Sequence, residues 1–431
     1  MPLDLSREVV LRWDHQDPAI APLLKEGGID AVVAEKPDPA FRQACQAVGM
    51  RVLPSTELTV AGLEGFRSAK GAAAFAEGLW PGVQRTPVPP DADVLASASR
   101  LPWVDANGFR VAWLRALCPE KPAALGYVAD ASSGLARDRL VPFDSLELAL
   151  VEARAYGGNY VLSVDQRYRT ALLEGRSPAL ADWKRLGRTA FWLKKHSELF
   201  GLPALPQITM LVDDGESAAE LANLMFRQNA SPAVEPVGKP PAPDPSRRLA
   251  VVAASISVPS PDIAQRILAH AGAGATVVTD RGEGPPWWRA PGLQLAREEK
   301  DRETYTLGRG RVVAYKDAIS DPSEFALDVI DLITHPRRAV RMWNAQAAIA
   351  TATAGPPSGP FAARAVLLVV NYGRPLDYEV MCHVQGSYSS AVLLRPESDS
   401  VRLGTARRGS ATEVILPELR RLGVVLLDGL K

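Results

Sequence analysis

Cysteine and histidine are scarce in this chain of 431 residues, and neither residue type forms a disulfide or metal-binding pattern. The three cysteines, Cys45, Cys118 and Cys382, lie far apart and are odd in number, which excludes a disulfide framework and a CxxC zinc site. We therefore expect buried free thiols. The five histidines form no HExxH or HxH pattern, so the sequence predicts no metal site built from histidine.

Net charge and long apolar runs are missing as well. The chain has 49 Lys and Arg against 49 Asp and Glu, and it lacks the excess positive charge of a general nucleic-acid binder. No segment approaches the roughly 18 apolar residues of a membrane helix, and the first residues show no signal peptide. The sequence predicts a cytoplasmic protein with neither nucleic acid nor membrane as a partner. An export leader outside this sequence is the open alternative.

Motifs for several other chemistries are also absent. The chain contains no GxSxG nucleophile elbow and no GxxxxGK[ST] phosphate loop. Where a dinucleotide-binding unit would carry GxGxxG after a strand, residues 212–217 read VDDGES. The sequence therefore predicts no cofactor.

The first 205 or so residues alternate short apolar runs with amphipathic stretches. Strand candidates lie at residues 9–13, 31–34, 51–54, 72–76, 94–97, 124–128 and 160–164. Helical spacing is clearest at 41–48, 109–117, 146–156 and 180–200. Alternating strands and helices with near-continuous apolar strands indicate a parallel sheet covered on both faces. The regular repeat predicts a compact TIM-type (β/α) barrel, either complete or incomplete, in which no eighth strand is identifiable.

Two further units follow this barrel. Residues 206–340 contain strand candidates at 208–212, 249–253, 275–279 and 311–314, and helix candidates at 216–228, 262–271 and 323–333. This pattern predicts a flavodoxin-like α/β domain, with the proline-rich segment 237–248 as an exposed loop. Residues 341–431 consist of short β-rich segments separated by turn residues, which predicts an all-β sandwich. The predicted domains are therefore 1–205, 206–340 and 341–431.

Residues that follow the predicted barrel strands are rich in acids and tryptophan. In a (β/α) barrel the site lies at the carboxyl ends of the strands. Carboxylates there can bind sugar hydroxyls, indole rings can stack on pyranose faces, and a carboxylate pair can hydrolyse a glycosidic bond. The candidate reacting carboxylates are Glu77, Asp105, Asp130 and Asp165. The candidate substrate-binding residues are Trp13, Asp14, Trp80, Trp103, Asn107, Tyr127 and Arg167.

Each of these residues also has a structural interpretation. Polar residues at strand ends belong to exposed loops in any parallel α/β protein, and aspartate is favoured as a helix N-cap. Asp144 is expected to cap the helix at 146–156, and Asp105 or Asn107 to cap the helix at 109–117. EGLWPG (77–82) predicts an exposed Trp80 on a rigid loop. PWVDANG (102–108) places Trp103, Asp105 and Asn107 on one short loop.

Three segments near the end of the chain carry a family resemblance: LLVVNYG (367–373), VQGSYSSAVLLRPES (384–398) and TEVILPELRRLGVVLLD (412–428). They resemble the closing sandwich of barrel glycosidases, and the domain order is similar to that of three-domain bacterial β-galactosidases. In those enzymes the middle domain looks like a glutamine amidotransferase without its catalytic cysteine, and it builds a trimer. The resemblance implies a carbohydrate ligand and a homo-oligomer, either a dimer or a trimer.

The catalytic motifs of that family are not matched. Its members carry Asn-Glu at the end of the fourth strand and Glu at the end of the seventh, whereas Ala76 precedes Glu77 here and Asp165 follows the last predicted strand. One hypothesis is a glycoside hydrolase with Glu77 or Asp105 as acid and Asp165 or Asp130 as nucleophile or base. The alternative is a catalytically degenerate relative that binds carbohydrate or serves as an assembly scaffold. A third, an isomerase or lyase, has no phosphate or metal signature.

Overall fold

The computed structural model describes residues 4–54, 73–78, 80–81, 107–126, 143–205, 207–244, 246, 249–282, 284–332 and 338–428. For residues 77, 216 and 217 it describes the backbone alone. The strand predicted at 94–97 lies outside these residues. No helix within the described ranges is both long enough and apolar enough to cross a membrane.

The first part of the chain alternates strands with helices, as its sequence predicts. The strands are β1 Val10–Arg12, β2 Ala31–Ala34, β3 Arg51–Pro54, β4 Ala74–Glu77, β5 Ala123–Gly126 and β6 Asn159–Ser163. The helices are α1 Ala21–Glu26, α2 Pro39–Ala47, α3 Asn107–Leu117, α4 Phe143–Ala155, α5 Gln166–Leu173 and α6 Ser177–Lys195. Two short helices, α1 and α5, were not predicted from the sequence. The helix predicted at 180–200 ends at Lys195, and a 3-10 turn at Ser197–Leu199 follows it.

The strand order of this parallel sheet is β3-β2-β1-β6-β5-β4. The last strand, β6, pairs with the first, and Arg12 lies opposite Ser163 in the register. Read from the other edge, the order is β4-β5-β6-β1-β2-β3, so each chain connection between neighbouring strands leads in the same direction around the sheet. With right-handed crossovers, this places the helices on one side, as in a barrel, whereas a doubly wound sheet reverses direction at its middle. Within the described residues β3 and β4 form the two edges.

The two faces of the sheet have different neighbours because side chains alternate along each strand. A small apolar cluster fills the inner face and includes Val10, Val33, Phe75, Ala124 and Val161. The outer face packs on the helices and belongs to a much larger core. The inner position on β5 is Gly126, where an added Cβ would lie 2.4 Å from Cζ of Phe75. The Phe75 ring therefore takes the volume that a side chain at position 126 would need.

The parallel part of the second sheet has the flavodoxin-like strand order that was predicted, and an antiparallel hairpin at one edge makes the sheet mixed. Its strands are β7 Ile208–Val212, β8 Ala233–Pro236, β9 Ala250–Ala253, β10 Thr276–Thr279, β11 Gln294–Glu298, β12 Arg302–Leu307 and β13 Gly310–Tyr315. Its helices are α7 Gly215–Arg227, α8 Pro261–Ala273 and α9 Pro322–Leu332. Strands β13-β10-β9-β7-β8 are parallel, and the unpredicted strands β12 and β11 extend the sheet as an antiparallel hairpin. The described part of the proline-rich segment contains no helix or strand, and Arg266 and His270 bond its carbonyl groups.

The last part of the chain forms the predicted sandwich from two antiparallel sheets. Their strands are β14 Val340–Trp343, β15 Ala348–Ala354, β16 Ala365–Asn371, β17 Val380–Gln385, β18 Ser390–Arg395, β19 Ser398–Leu403, β20 Thr405–Arg408, β21 Ala411–Leu416 and β22 Leu422–Asp428. The sheet orders are β14-β17-β21-β20 and β15-β16-β22-β18-β19. All seven residues of β16 are buried. Leu367 and Val369 face the sandwich core, whereas Val366 and Leu368 join the large core shared with the barrel helices.

All three cysteines are free and buried, as expected from their spacing. Burial raises the pKa of Cys45 to about 11 and that of Cys382 to about 12, because an apolar surrounding disfavours the thiolate. These thiols therefore remain protonated at neutral pH and act as small apolar core residues.

Candidate functional site at the carboxyl edge of the barrel sheet

The pairing of β1 with β6 brings together the residues that follow these two strands. Asp14 follows β1, and its carboxylate lies 3.5 Å from Nη1 of Arg169 on α5, the helix that follows β6. Asp165 and Arg167 lie in the same segment after β6. Of the candidate residues, Asp14, Asp165 and Arg167 are thus brought to one edge of the sheet, with Arg169 as an ion-pair partner that the sequence did not indicate.

Asp165 has a structural role at this edge. It is the N-cap of α5, and its Oδ1 accepts a hydrogen bond of 2.8 Å from the backbone N–H of Arg167. Aspartate is favoured at this position because it satisfies a backbone donor that has no partner within the helix. The cap also fixes one carboxylate oxygen in a defined orientation.

Glu77 is the last residue of β4, and its Cα pairs with that of Gly126. It lies two positions after Phe75, so alternation along the strand assigns both residues to the same face of the sheet. The candidates Asp105, Asp130, Trp103 and Tyr127 lie outside the described residues.

The two described tryptophans among the candidates lie in the core and do not line an open site. Trp13 is 2% exposed and Trp80 is 3% exposed, and both belong to the helix-side core. Alternation explains the first case: Arg12 faces inward, so Trp13 faces the helices. In the second case the ring of Trp80 packs against Tyr160, with 5.5 Å between ring centroids. The prediction that EGLWPG presents an exposed Trp80 is therefore wrong.

Asn107, a substrate-binding candidate, and Asp144, an expected helix cap, also have structural partners. Asn107 is 2% exposed and donates a hydrogen bond of 2.8 Å to Oε2 of the fully buried Glu152, so it faces the α3–α4 packing and not solvent. Asp144 was expected to precede its helix, but α4 begins at Phe143 and includes it. Its carboxylate instead pairs with Arg185 and, at 3.0 Å, with Arg421 of the sandwich.

Sequence reasoning missed two polar residues on the inner face, Arg12 and Ser163. They are opposite one another in the β1–β6 register at the carboxyl ends of both strands. The guanidinium carbon of Arg12 lies 5.4 Å from the centroid of the Phe75 ring, a cation–π contact across the inner face. The Ser163 hydroxyl is buried and has no hydrogen-bond partner within the described residues. A polar residue at alternate positions of an otherwise apolar strand was the available signal.

These groups provide hydrogen-bond donors, acceptors and charges of both signs at one edge of the sheet. Arg12, Arg167 and Arg169 carry positive charge, and Asp14 and Asp165 carry negative charge. Such a set suits the recognition of hydroxyl groups, because guanidinium groups donate and carboxylates accept hydrogen bonds. Within the described part of the chain, no three His, Cys, Asp or Glu side chains are grouped so that they could hold a metal ion.

Two glycoside hydrolases of known structure have a similar architecture. The α-L-fucosidase isoenzyme 2 from Paenibacillus thiaminolyticus has a TM-score of 0.54 at 11% identity, over 96% of this chain and 80% of that chain. A GH42 β-galactosidase from G. stearothermophilus has a TM-score of 0.52 at 10% identity, over 97% of this chain and 98% of that chain. This chain shares the fold of these two structures. No family model and no curated protein matches the sequence.

The similarity extends over a barrel-type sheet, a middle α/β unit and a terminal sandwich, which confirms the resemblance drawn from the closing segments at the level of the fold. Asn371 and Tyr372 of the NYG segment both form side-chain hydrogen bonds. The amide of Asn371 donates to the carbonyl groups of Arg374 (2.8 Å) and Arg420 (3.0 Å). The Tyr372 hydroxyl donates to Glu152 of α4, so this segment attaches the sandwich to the barrel.

Proposed function

We propose that this protein is a glycoside hydrolase that cleaves an oligosaccharide or glycoside with a pair of carboxylates at the carboxyl edge of its parallel sheet. The main supporting observation is the pairing of β6 with β1, which gives the sheet the strand order of a barrel. In barrels the carboxyl ends of the strands surround one site. Here that edge carries Asp14, Glu77 and Asp165.

The strand positions of Glu77 and Asp165 suit a carboxylate pair. Glu77 ends β4 and Asp165 follows β6, with β5 between them. Neighbouring strands are about 4.8 Å apart, so the two backbone positions are separated by roughly 10 Å and side chains can approach across the curved sheet. Carboxyl separations of about 5 to 9.5 Å cover retaining and inverting hydrolysis. We propose Glu77 as the general acid and Asp165 as the nucleophile or base, with Asp105 and Asp130 as the alternative candidates.

Arg12 and Ser163 would contribute to substrate binding in this proposal. Both lie on the inner face at the carboxyl ends of adjacent strands. The guanidinium group offers several N–H donors in a plane, and the hydroxyl can donate or accept. Asp14 and Arg167, at the rim, would bind sugar hydroxyls that lie closer to solvent.

The three parts of the chain would have separate tasks. We propose a catalytic or sugar-binding barrel over residues 1–205, a glutamine-amidotransferase-like middle unit over 206–340 and a sandwich over 341–431. By analogy of fold, the middle unit would assemble the chain into a dimer or trimer. Light scattering after size-exclusion chromatography tests this: a mass of two or three chains supports assembly, and the mass of one chain contradicts it.

A second candidate function is carbohydrate binding without turnover. It is favoured by the hydrogen bond that engages Asp165 as a helix cap and by the absence of an Asn-Glu pair. Incubation with a panel of natural oligosaccharides, read by release of reducing ends, separates the two functions. Release supports the hydrolase, whereas calorimetric binding of a sugar with no release supports the binding protein.

A further inference from the structure

An arginine is buried without a direct partner among the described residues, at the end of the barrel sheet opposite to the proposed site. Arg154 lies in the last turn of α4 and is 3% exposed. No described residue forms a hydrogen bond or an ion pair within 4 Å with its guanidinium group, and its Nε is buried without a partner. Buried arginines are ordinarily paired, because removal of a charge from water is costly unless another group compensates.

Arg154 lines a cavity of about 260 Å³ at the amino-terminal ends of β5 and β6. The cavity lies between the chain before β1 and the 3-10 turn after α6. Its other lining residues include Ser6, Arg7, Pro122, Ser197 and Phe200. Gly157, with φ of +83°, gives the α4–β6 turn its left-handed conformation beside the cavity. The cavity is thus bordered by a second arginine, by hydroxyl groups and by backbone.

The carboxylates that act electrostatically on Arg154 are those of Asp4 and Asp30, and both have other partners. Asp4 pairs with Arg7 (3.9 Å), and Asp30 pairs with Lys25 (3.3 Å) and Lys194 (3.0 Å). Burial lowers the pKa of Arg154 to about 10, and the two aspartates oppose this shift. Arg154 therefore remains charged at neutral pH. Its charge has no contact partner among the described residues, and burial disfavours this charge.

We propose that this cavity is an oxyanion site in which the Arg154 guanidinium binds a phosphate group. A planar guanidinium matches phosphate geometry with two parallel hydrogen bonds. Arg7 adds a second positive charge at the cavity. Glu198 also lines the cavity but is exposed to solvent, where its negative charge is screened.

The volume restricts the size of the ligand. Sites for drug-sized molecules occupy about 300–1,000 Å³, so this cavity is suited to inorganic phosphate or to a small phosphate ester. It lies at the amino-terminal ends of the strands, away from the edge where barrel enzymes carry out their chemistry. The ligand would therefore stabilise the fold without taking part in the reaction, and the test does not depend on glycosidase activity.

Thermal unfolding of the full chain with increasing inorganic phosphate tests the proposal, with ionic strength held constant by sodium chloride. Ligand binding to the folded state raises the Tm, and above the Kd the rise follows the logarithm of the ligand concentration. We expect this rise for the wild type and its loss in Arg154→Met. Arg154→Met should fold, because replacement of an uncompensated buried charge by an apolar side chain is commonly tolerated.

A second variant and a control keep the test decisive if Arg154→Met fails to fold. Arg7→Gln should weaken phosphate binding roughly threefold or more, since it removes one charge from the cavity. Arg297→Gln, an exposed arginine on β11, should bind phosphate as the wild type does. The same titration with glucose 6-phosphate shows whether inorganic phosphate or a small phosphate ester binds more tightly. No phosphate-specific rise in the wild type, or an undiminished rise in Arg154→Met or Arg7→Gln, would overturn the proposal.

Discussion

The hydroxyl of Tyr372 lies 3.2 Å from Oε1 of Glu152, and both side chains are buried where the sandwich meets the barrel. Burial raises the pKa of Tyr372 well above its usual value, and the negative charge of Glu152 adds to the effect. The hydroxyl therefore keeps its proton and donates a hydrogen bond to the carboxylate. Asn107 donates to the other carboxylate oxygen. One buried carboxylate therefore connects α3, α4 and the end of β16.

Removal of the Tyr372 hydroxyl should weaken this connection. Tyr372→Phe keeps the ring but leaves one oxygen of a buried carboxylate with a lost donor, which should lower the free energy of unfolding by about 1–2 kcal/mol. Chemical denaturation measures the change. The matched control is Tyr378→Phe at an exposed tyrosine, which should change stability by less than about 0.5 kcal/mol. Equal effects of the two substitutions would show that the contact contributes nothing.

Two helical glycines should respond in opposite ways to replacement by alanine. Gly187 on α6 packs on the end of α1, and a Cβ there would lie 2.0 Å from the carbonyl oxygen of Glu26. Gly187→Ala should therefore destabilise the fold by about 1–3 kcal/mol, although alanine favours helix. Gly272 on α8 has no atom within 4 Å of an added Cβ, so Gly272→Ala should stabilise by about 0.5–1 kcal/mol. The two variants are compared by thermal unfolding, and a stabilising Gly187→Ala would contradict the described helix packing.

Glu413 on β21 should make stability depend on pH. Its carboxylate accepts hydrogen bonds from Arg408 and His383, which lower its pKa below the usual value. A depressed pKa contributes stability above the unfolded-state pKa, and this contribution is lost as pH falls through the folded-state value. Glu413→Gln should therefore lower Tm at neutral pH, and the difference from wild type should shrink below about pH 4. Glu220→Gln, at an exposed glutamate, is the control, and a difference that persists unchanged in acid would refute the assignment.

The sequence predicted the strands that are largely buried, because their apolar residues form a recognisable pattern. Strands β2 and β3 agree with prediction residue for residue, and the β-rich end of the chain forms the expected sandwich. The hairpin strand β11 was missed because all five of its residues are exposed, so it has no apolar alternation to recognise. Its partner β12 is only partly buried and was missed for the same reason.

The candidate site was less predictable because side-chain direction depends on distant packing. Strand ends were located well enough to place Asp14 and Asp165 at one edge. Composition alone could not show that Trp13 packs on the helices or that Arg154 is buried. Helix α4 explains the second case: it packs between the barrel sheet and β16 and is buried almost throughout, so charged residues such as Glu152 lie inside despite their type.

The most direct test of the central claim is release of 4-nitrophenol from a panel of aryl glycosides by the wild type, Glu77→Gln and Asp165→Asn. Asparagine caps helices about as well as aspartate, so Asp165→Asn removes the charge while it keeps the start of α5. Glu220→Gln, at an exposed glutamate on α7 outside the barrel, is the control. We predict turnover of at least one glycoside by the wild type and its loss, by roughly a hundredfold or more, in Glu77→Gln and in Asp165→Asn. Turnover that survives both substitutions would contradict the assigned pair, and no turnover of any glycoside by the wild type would contradict the hydrolase.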